Sequence, residues 1–176
     1  MSTVTLVTGG ARSGKSRYAL TLAGRHERRA FIATALVTDD EMRERIRKHR
    51  EERGPAFTTI EEPLDLASAL GRLPDGCGIA IVDCITVWLG NLMHVRGADG
   101  LFPEVKAFVE ALRRPPCDIV VVTNEVGMGV VPPTELGREF RDRAGRLNQE
   151  IAALADEVVF MVSGIPLVIK GGGAGR

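Results

Sequence analysis

The sequence has few cysteines: Cys77, Cys84 and Cys117 are three in 176 residues. An odd, widely spaced set excludes a disulfide framework and a CxxC zinc site. A charge excess of either sign is also missing, since 23 basic side chains meet 23 acidic ones. Gripping a nucleic-acid backbone or an anionic membrane non-specifically takes a positive surplus, so only a local basic patch can serve such a role. The longest apolar stretch, Ile79 to Leu89, is interrupted by Asp83 and is too short to cross a bilayer. No charged n-region precedes the first strand-like run, so no signal peptide is read. His26, His49 and His94 are scattered and make no metal site. The expectation is a cytoplasmic protein without a nucleic-acid partner and without membrane insertion.

What is present suffices for a core, with 44% hydrophobic residues in a chain of single-domain length. Val4 to Thr8 is a β-branched run ending in Gly9-Gly10, and Ser16 to Leu22 reads as helix. Phe31 to Ala35 is a second strand. Thr38 and Glu41 form a capping-box signature for a helix to about Glu52. Phe57 to Ile60 reads as a short strand, and Pro63 as the first residue of a helix through Leu70. Ile79 to Val82 and Ile119 to Thr123 are continuous apolar strands of the kind buried on both faces, with a helix over Val105 to Leu112 between them. Leu136, Phe140, Leu147, Ile151 and Leu154 recur at helical spacing. Val158 to Val162 and Pro166 to Lys170 flank Ser163-Gly164 as a hairpin. Strands alternating with helices predict an α/β fold with a mostly parallel sheet, covered on both faces and closed by an antiparallel C-terminal pair. Residues 1–170 are expected to form one domain, and 171–176 a Gly-rich tail.

Gly9-Gly10-Ala11-Arg12-Ser13-Gly14-Lys15-Ser16 matches the phosphate-binding pattern GxxxxGK[ST] between a strand and a helix. The glycines let backbone N–H groups wrap phosphate oxygens at the positive end of the helix. Lys15 sets an ammonium against the terminal phosphates, and the Ser16 hydroxyl can ligate Mg²⁺. A P-loop also needs a carboxylate for the magnesium shell, and Asp83, closing the strand Ile79 to Val82, is the natural candidate. The competing reading makes Asp83 a cap for the following segment. The Asn-Lys-x-Asp motif of switch GTPases does not occur.

On the helix after the second strand, Met42, Ile46 and His49 share one face, with six basic and four acidic side chains between Glu41 and Arg53. Positive neighbours favour the neutral imidazole, the form that attacks phosphorus, and arginines can hold phosphate oxygens bidentately. The same residues also fit a solvated charged helix whose histidine only ends the apolar stripe. A second cluster, Thr123 to Pro132, follows a buried strand, where ligands of open α/β sheets bind. Its glycines equally suit a turn.

Together these segments resemble the bifunctional adenosylcobinamide kinase / adenosylcobinamide-phosphate guanylyltransferase family of cobalamin biosynthesis, from Val7 to about Lys170. The motifs that carry the resemblance are Thr8 through Ser16, Ile32-Ala33-Thr34, Asp40-Glu41-Met42 leading to Arg45-Ile46 and His49, Glu61-Glu62-Pro63, Asp83-Cys84-Ile85-Thr86, and Thr123 through Gly129. The resemblance implies a P-loop NTPase fold of RecA-like type, a three-layer sandwich, and a trimeric homo-oligomer. It implies phosphorylation of the aminopropanol hydroxyl of adenosylcobinamide with ATP or GTP. GMP then passes from GTP, through a guanylylated histidine matched by His49, to adenosylcobinamide phosphate, giving adenosylcobinamide-GDP and pyrophosphate. The implied nucleotide contacts are Gly9 through Ser16, Thr34, Ala35, Leu36, Arg50, Glu51, Glu52, Arg53, Glu61 and Asp83, with Ser16 and Asp83 toward the metal. One feature departs from the family pattern: Phe57 stands where its tryptophan is expected; some members also carry Asp39, and others a second histidine, beside these motifs, and here Lys48 precedes His49. The rival readings are a monofunctional P-loop kinase of another small alcohol and a non-catalytic nucleotide-sensing module.

Overall fold

The computed structural model describes residues 1–36, 56–98 and 100–171. Its elements run β1 (Val4–Gly9), α1 (Lys15–Ala23), β2 (Arg29–Ala33), β3 (Phe57–Glu61), α2 (Leu66–Gly71), β4 (Ile79–Asp83), α3 (Ile85–Arg96), α4 (Pro103–Leu112), β5 (Asp118–Val122), α5 (Glu135–Leu154), β6 (Glu157–Val162) and β7 (Ile165–Lys170). The strands form one sheet in the order β3-β2-β4-β5-β1-β6-β7. All neighbours are parallel except β6 and β7.

Alternation along each strand sends side chains to two separate cores. Leu6, Ile32, Val82, Val121 and Val158 face Leu66 of α2, Trp88 and Leu92 of α3, Phe108 of α4, and Leu147 and Ile151 of α5. Val7, Phe31, Ile81, Val122 and Val159 face Ala19 and Ala23 of α1. The fold is therefore the expected mostly parallel α/β sandwich. Placing β5 between β1 and β4 separates the strand that leads into the glycine loop from the strand that ends in Asp83. Both strands end on the same rim of the sheet.

Local sequence accounts for most boundaries. Thr134 caps α5 by accepting from Gly137 N at 3.1 Å, and Pro103 opens α4 where a missing N–H costs nothing. Ser163 and Gly164 both take positive φ, 52° and 82°, as a two-residue hairpin turn between right-twisted strands requires. Three expectations are corrected. The helix expected from Pro63 begins at Leu66, because the Asp65 side chain accepts from Ser68 N and caps it there. The second strand runs Arg29–Ala33, so Thr34 and Ala35 lie beyond it. Helix α3 gave no periodic signal, because Ile85, Thr86, Trp88, Leu89, Asn91, Leu92 and Met93 are buried nearly all round it. The helix expected from Thr38 to about Glu52 and tail residues 172–176 lie outside the described residues.

Candidate active site

The glycine loop is built as its motif requires. Gly9 and Gly14 hold φ of 146° and 97°, backbone regions that L side chains rarely enter. A Cβ on Gly9 would stand 2.5 Å from Met161 O. Arg12 also takes a left-handed φ of 55° at the exposed tip. Helix α1 starts at once after Gly14 with no side-chain cap, which leaves its first-turn N–H groups for an anion. Lys15 is buried and folds back over the loop, its Nζ donating to Gly10 O at 2.6 Å and to Ser13 Oγ at 3.5 Å. Burial holds its ammonium below the ordinary lysine range, an effect that the nearby Asp83 carboxylate opposes. A polyphosphate laid on the loop adds to the counter-charge that Asp83 supplies.

Ser16 Oγ donates to Asp83 Oδ2 at 2.7 Å. This contact joins the start of α1 to the end of β4, two strands from β1 in the sheet. A hydroxyl and a carboxylate side by side are hard oxygen donors, the set that shares Mg²⁺ with phosphate oxygens and water. Among the described residues no three His, Cys, Asp or Glu side chains gather to hold a metal on their own.

Around Asp83 the strand ends are tied by buried polar side chains. The Thr34 hydroxyl accepts from Cys84 N and donates to Cys84 O, both at 2.9 Å. Asn91 Nδ2 donates to Thr34 O at 2.7 Å and to Pro63 O at 3.1 Å. Asn124 Nδ2 donates to Thr86 Oγ1 at 2.7 Å, and its carbonyl accepts from Asn148 Nδ2 at 3.2 Å. Burial pushes the Cys84 thiol up, so it stays protonated beside Lys15. These bonds tie the ends of β2, β4 and β5 to one another and to α3 and α5.

The expected site residues thus fall in two places along one rim. Gly9 through Ser16 and Asp83 are brought together. Thr34, with Ala35 and Leu36 after it, follows β2. Glu61 closes β3, in register with Ala33, which is in register with Asp83. Four strand spacings of about 4.8 Å put Glu61 roughly 19 Å from the lane of β1, a span comparable to an extended nucleoside triphosphate. Phe57 lies at the other end of β3, edge-on to Phe31 at 6.3 Å with Arg29 above it at 5.7 Å. It is therefore remote from Glu61 and from the carboxyl rim. His49 and Arg50, Glu51, Glu52 and Arg53 lie outside the described residues. Sequence reasoning missed Asn91 and Asn148 and named Thr86 only within the Asp83-Cys84-Ile85-Thr86 motif, without a role; the signal for Asn91 was a lone amide inside an otherwise apolar run.

A family model described as cobinamide kinase / cobinamide phosphate guanyltransferase matches residues 5–169. The chain belongs to this family. Three relatives are similar along almost their whole length. The bifunctional adenosylcobalamin biosynthesis protein CobU of Escherichia coli K12 is 40% identical over 178 residues, covering 94% of this chain and 98% of the relative. CobP of Pseudomonas aeruginosa is 44% identical over 167 residues, covering 94% and 96%. CobU of Salmonella typhimurium is 42% identical over 180 residues, covering 94% and 98%. Among solved structures, a Pyrococcus horikoshii OT3 protein shares the fold at a TM-score of 0.53 and 10% identity, over 97% of this chain and 87% of that one. A type III secretion ATPase shares it at 0.54 and 11%, over 90% of this chain and 50% of that one. Both likenesses concern the fold alone. No helix among the described residues is long and apolar enough to cross a membrane.

Proposed function

We propose that this chain phosphorylates adenosylcobinamide with ATP or GTP and then guanylylates the product, as a cytoplasmic homotrimer. The observation that carries the reading is the Ser16–Asp83 hydrogen bond beside Lys15, in a chain whose family match runs from residue 5 to residue 169 and so includes His49. Lys15 and the amides of Gly9 through Ser16 hold the β- and γ-phosphates. Ser16 and Asp83 hold Mg²⁺, which when bound neutralises charge on the transferring phosphates. Thr34 to Leu36, Arg50 to Arg53 and Glu61 contact the nucleoside half of GTP.

In the kinase step the aminopropanol hydroxyl attacks the γ-phosphorus, the bond to the β-phosphate oxygen breaks, and the hydroxyl proton passes to a base. Glu61, four strands from β1, stands away from that reaction. In the second step a neutral ring nitrogen of His49 attacks the α-phosphorus of GTP. A phosphorus–nitrogen bond forms, and pyrophosphate leaves with the electron pair of the broken bridge. An oxygen of adenosylcobinamide phosphate then attacks the same phosphorus, the phosphorus–nitrogen bond breaks, and adenosylcobinamide-GDP is released. The covalent step lets the anionic acceptor enter after pyrophosphate has gone, which avoids placing both in one site.

Incubation with GTP and Mg²⁺ followed by intact-mass spectrometry is expected to show one added GMP, labile to acid and stable to base. An unmodified protein, beside an active control, would leave the monofunctional kinase as the better reading. A His49→Ala chain that still takes up GMP would remove His49 from the nucleophile's role. Full kinase activity in Lys15→Ala would remove the glycine loop. Sedimentation equilibrium reads the assembly, and a monomer would overturn the trimer.

A further inference from the structure

The segment after β5, from Val126 to Thr134, contains no charged side chain. Its large apolar side chains point into solvent: Met128 is 79% exposed, Val130 95% and Val131 60%, with Leu136 of α5 at 59%. Yet the segment is held at both ends. Glu125 N donates to Gly9 O at 3.1 Å, and Gly127 N donates to the Glu125 carboxylate at 2.6 Å. Val126 packs on the cluster of Leu89, Met93 and Ala144. Arg138 Nη1 donates to Pro132 O at 3.2 Å and to Pro133 O at 2.9 Å. A contiguous apolar ledge fastened in this way exposes surface that folding alone does not explain.

We propose that Met128, Val130 and Val131 form the docking ledge for the corrin macrocycle of the acceptor. This rests on the proposed function. The ledge begins three residues past Glu125, whose amide bonds the first residue of the glycine loop, so a ligand lying on it borders the transferring phosphate. Its lack of charge suits no second polyphosphate. A corrin ring presents a broad apolar face with neutral amide arms at its edge. The ledge offers apolar side chains for the face, and the backbone of a Gly- and Pro-rich loop offers carbonyls and amides for the arms.

The test is the double variant Met128→Ser/Val130→Ser, with both positions exposed in the fold. KM for adenosylcobinamide is expected to rise at least about tenfold, while KM for ATP and the extent of labelling by GTP alone hold steady. Turnover with an unaltered KM for adenosylcobinamide overturns the ledge and leaves the proposed function standing. Wild-type protein that does not turn over adenosylcobinamide overturns both. Altered sedimentation of the variant makes the loop a contact between copies of the chain and also overturns the ledge. In the wild-type protein, adenosylcobinamide is expected to slow hydrogen exchange at the amides of residues 126–131, and unchanged exchange there would sink the proposal independently.

Discussion

Gly164 N donates a 2.9 Å hydrogen bond to Ser13 O, so the turn of the antiparallel hairpin braces the phosphate loop from outside the parallel sheet. Gly14 lies against the same turn, where an added Cβ would meet Gly164 Cα at 3.2 Å, and its φ is 97°. Gly14→Ala is therefore expected to lose about 1–3 kcal/mol of stability and to weaken nucleotide binding. Urea unfolding and nucleotide titration check the two effects, and an unchanged pair would mean that the turn does not hold the loop.

The Ser16–Asp83 contact predicts a metal-linked defect. Ser16→Ala keeps the helix but removes one oxygen of the pair. The Mg²⁺ concentration for half-maximal phosphoryl transfer is expected to rise roughly tenfold, while nucleotide affinity without Mg²⁺ changes little. Activity measured against Mg²⁺ concentration separates the two, and a parallel curve with only a lower plateau would exclude a metal role for Ser16.

Trp88 is the single tryptophan and is fully buried. Its Nε1 donates to Leu64 O at 2.7 Å, and its ring meets Phe108 edge-on at 5.3 Å. Trp88→Phe strands a carbonyl and is expected to cost about 1–3 kcal/mol, read by chemical denaturation. The wild-type fluorescence should be blue-shifted and should shift red on unfolding.

Burial pushes the Cys117 thiol up from 9.0 to about 12, helped by Cys77, whose sulfur lies 3.9 Å away. The folded chain keeps this proton where the unfolded chain loses it. The stability it contributes is full below pH 9 and is lost as pH rises toward about 12. Cys117→Ala is expected to flatten the alkaline fall in unfolding free energy. An identical pH profile in that variant would show that Cys117 does not titrate in this range.

Much of the rim was legible in the sequence. The run Val4 to Thr8 and the GxxxxGK[ST] spacing are short-range patterns, and the backbone follows them directly. Strands alternating with helices likewise announced a mostly parallel sheet covered on both faces. Helix α3 was not legible, since a helix buried on all sides carries no amphipathic period. The start of α2 also escaped, because an Asp65 cap outranked a proline three residues before Leu66.

The chain itself determined which chemistry is available: a lysine and a serine on a glycine loop, an aspartate closing an apolar strand, and a histidine among arginines. Tertiary structure decided what lies beside what. Ser16 reaches Asp83 only because α1 crosses the sheet past β5, the one strand between β1 and β4. Glu61 stands four strands away from the loop, and the segment at Met128 to Val131 holds its apolar side chains in solvent beside it. Propensity and periodicity act over a few residues and are written locally. Strand order and register come from burying distant segments against one another, and no short stretch of sequence contains them.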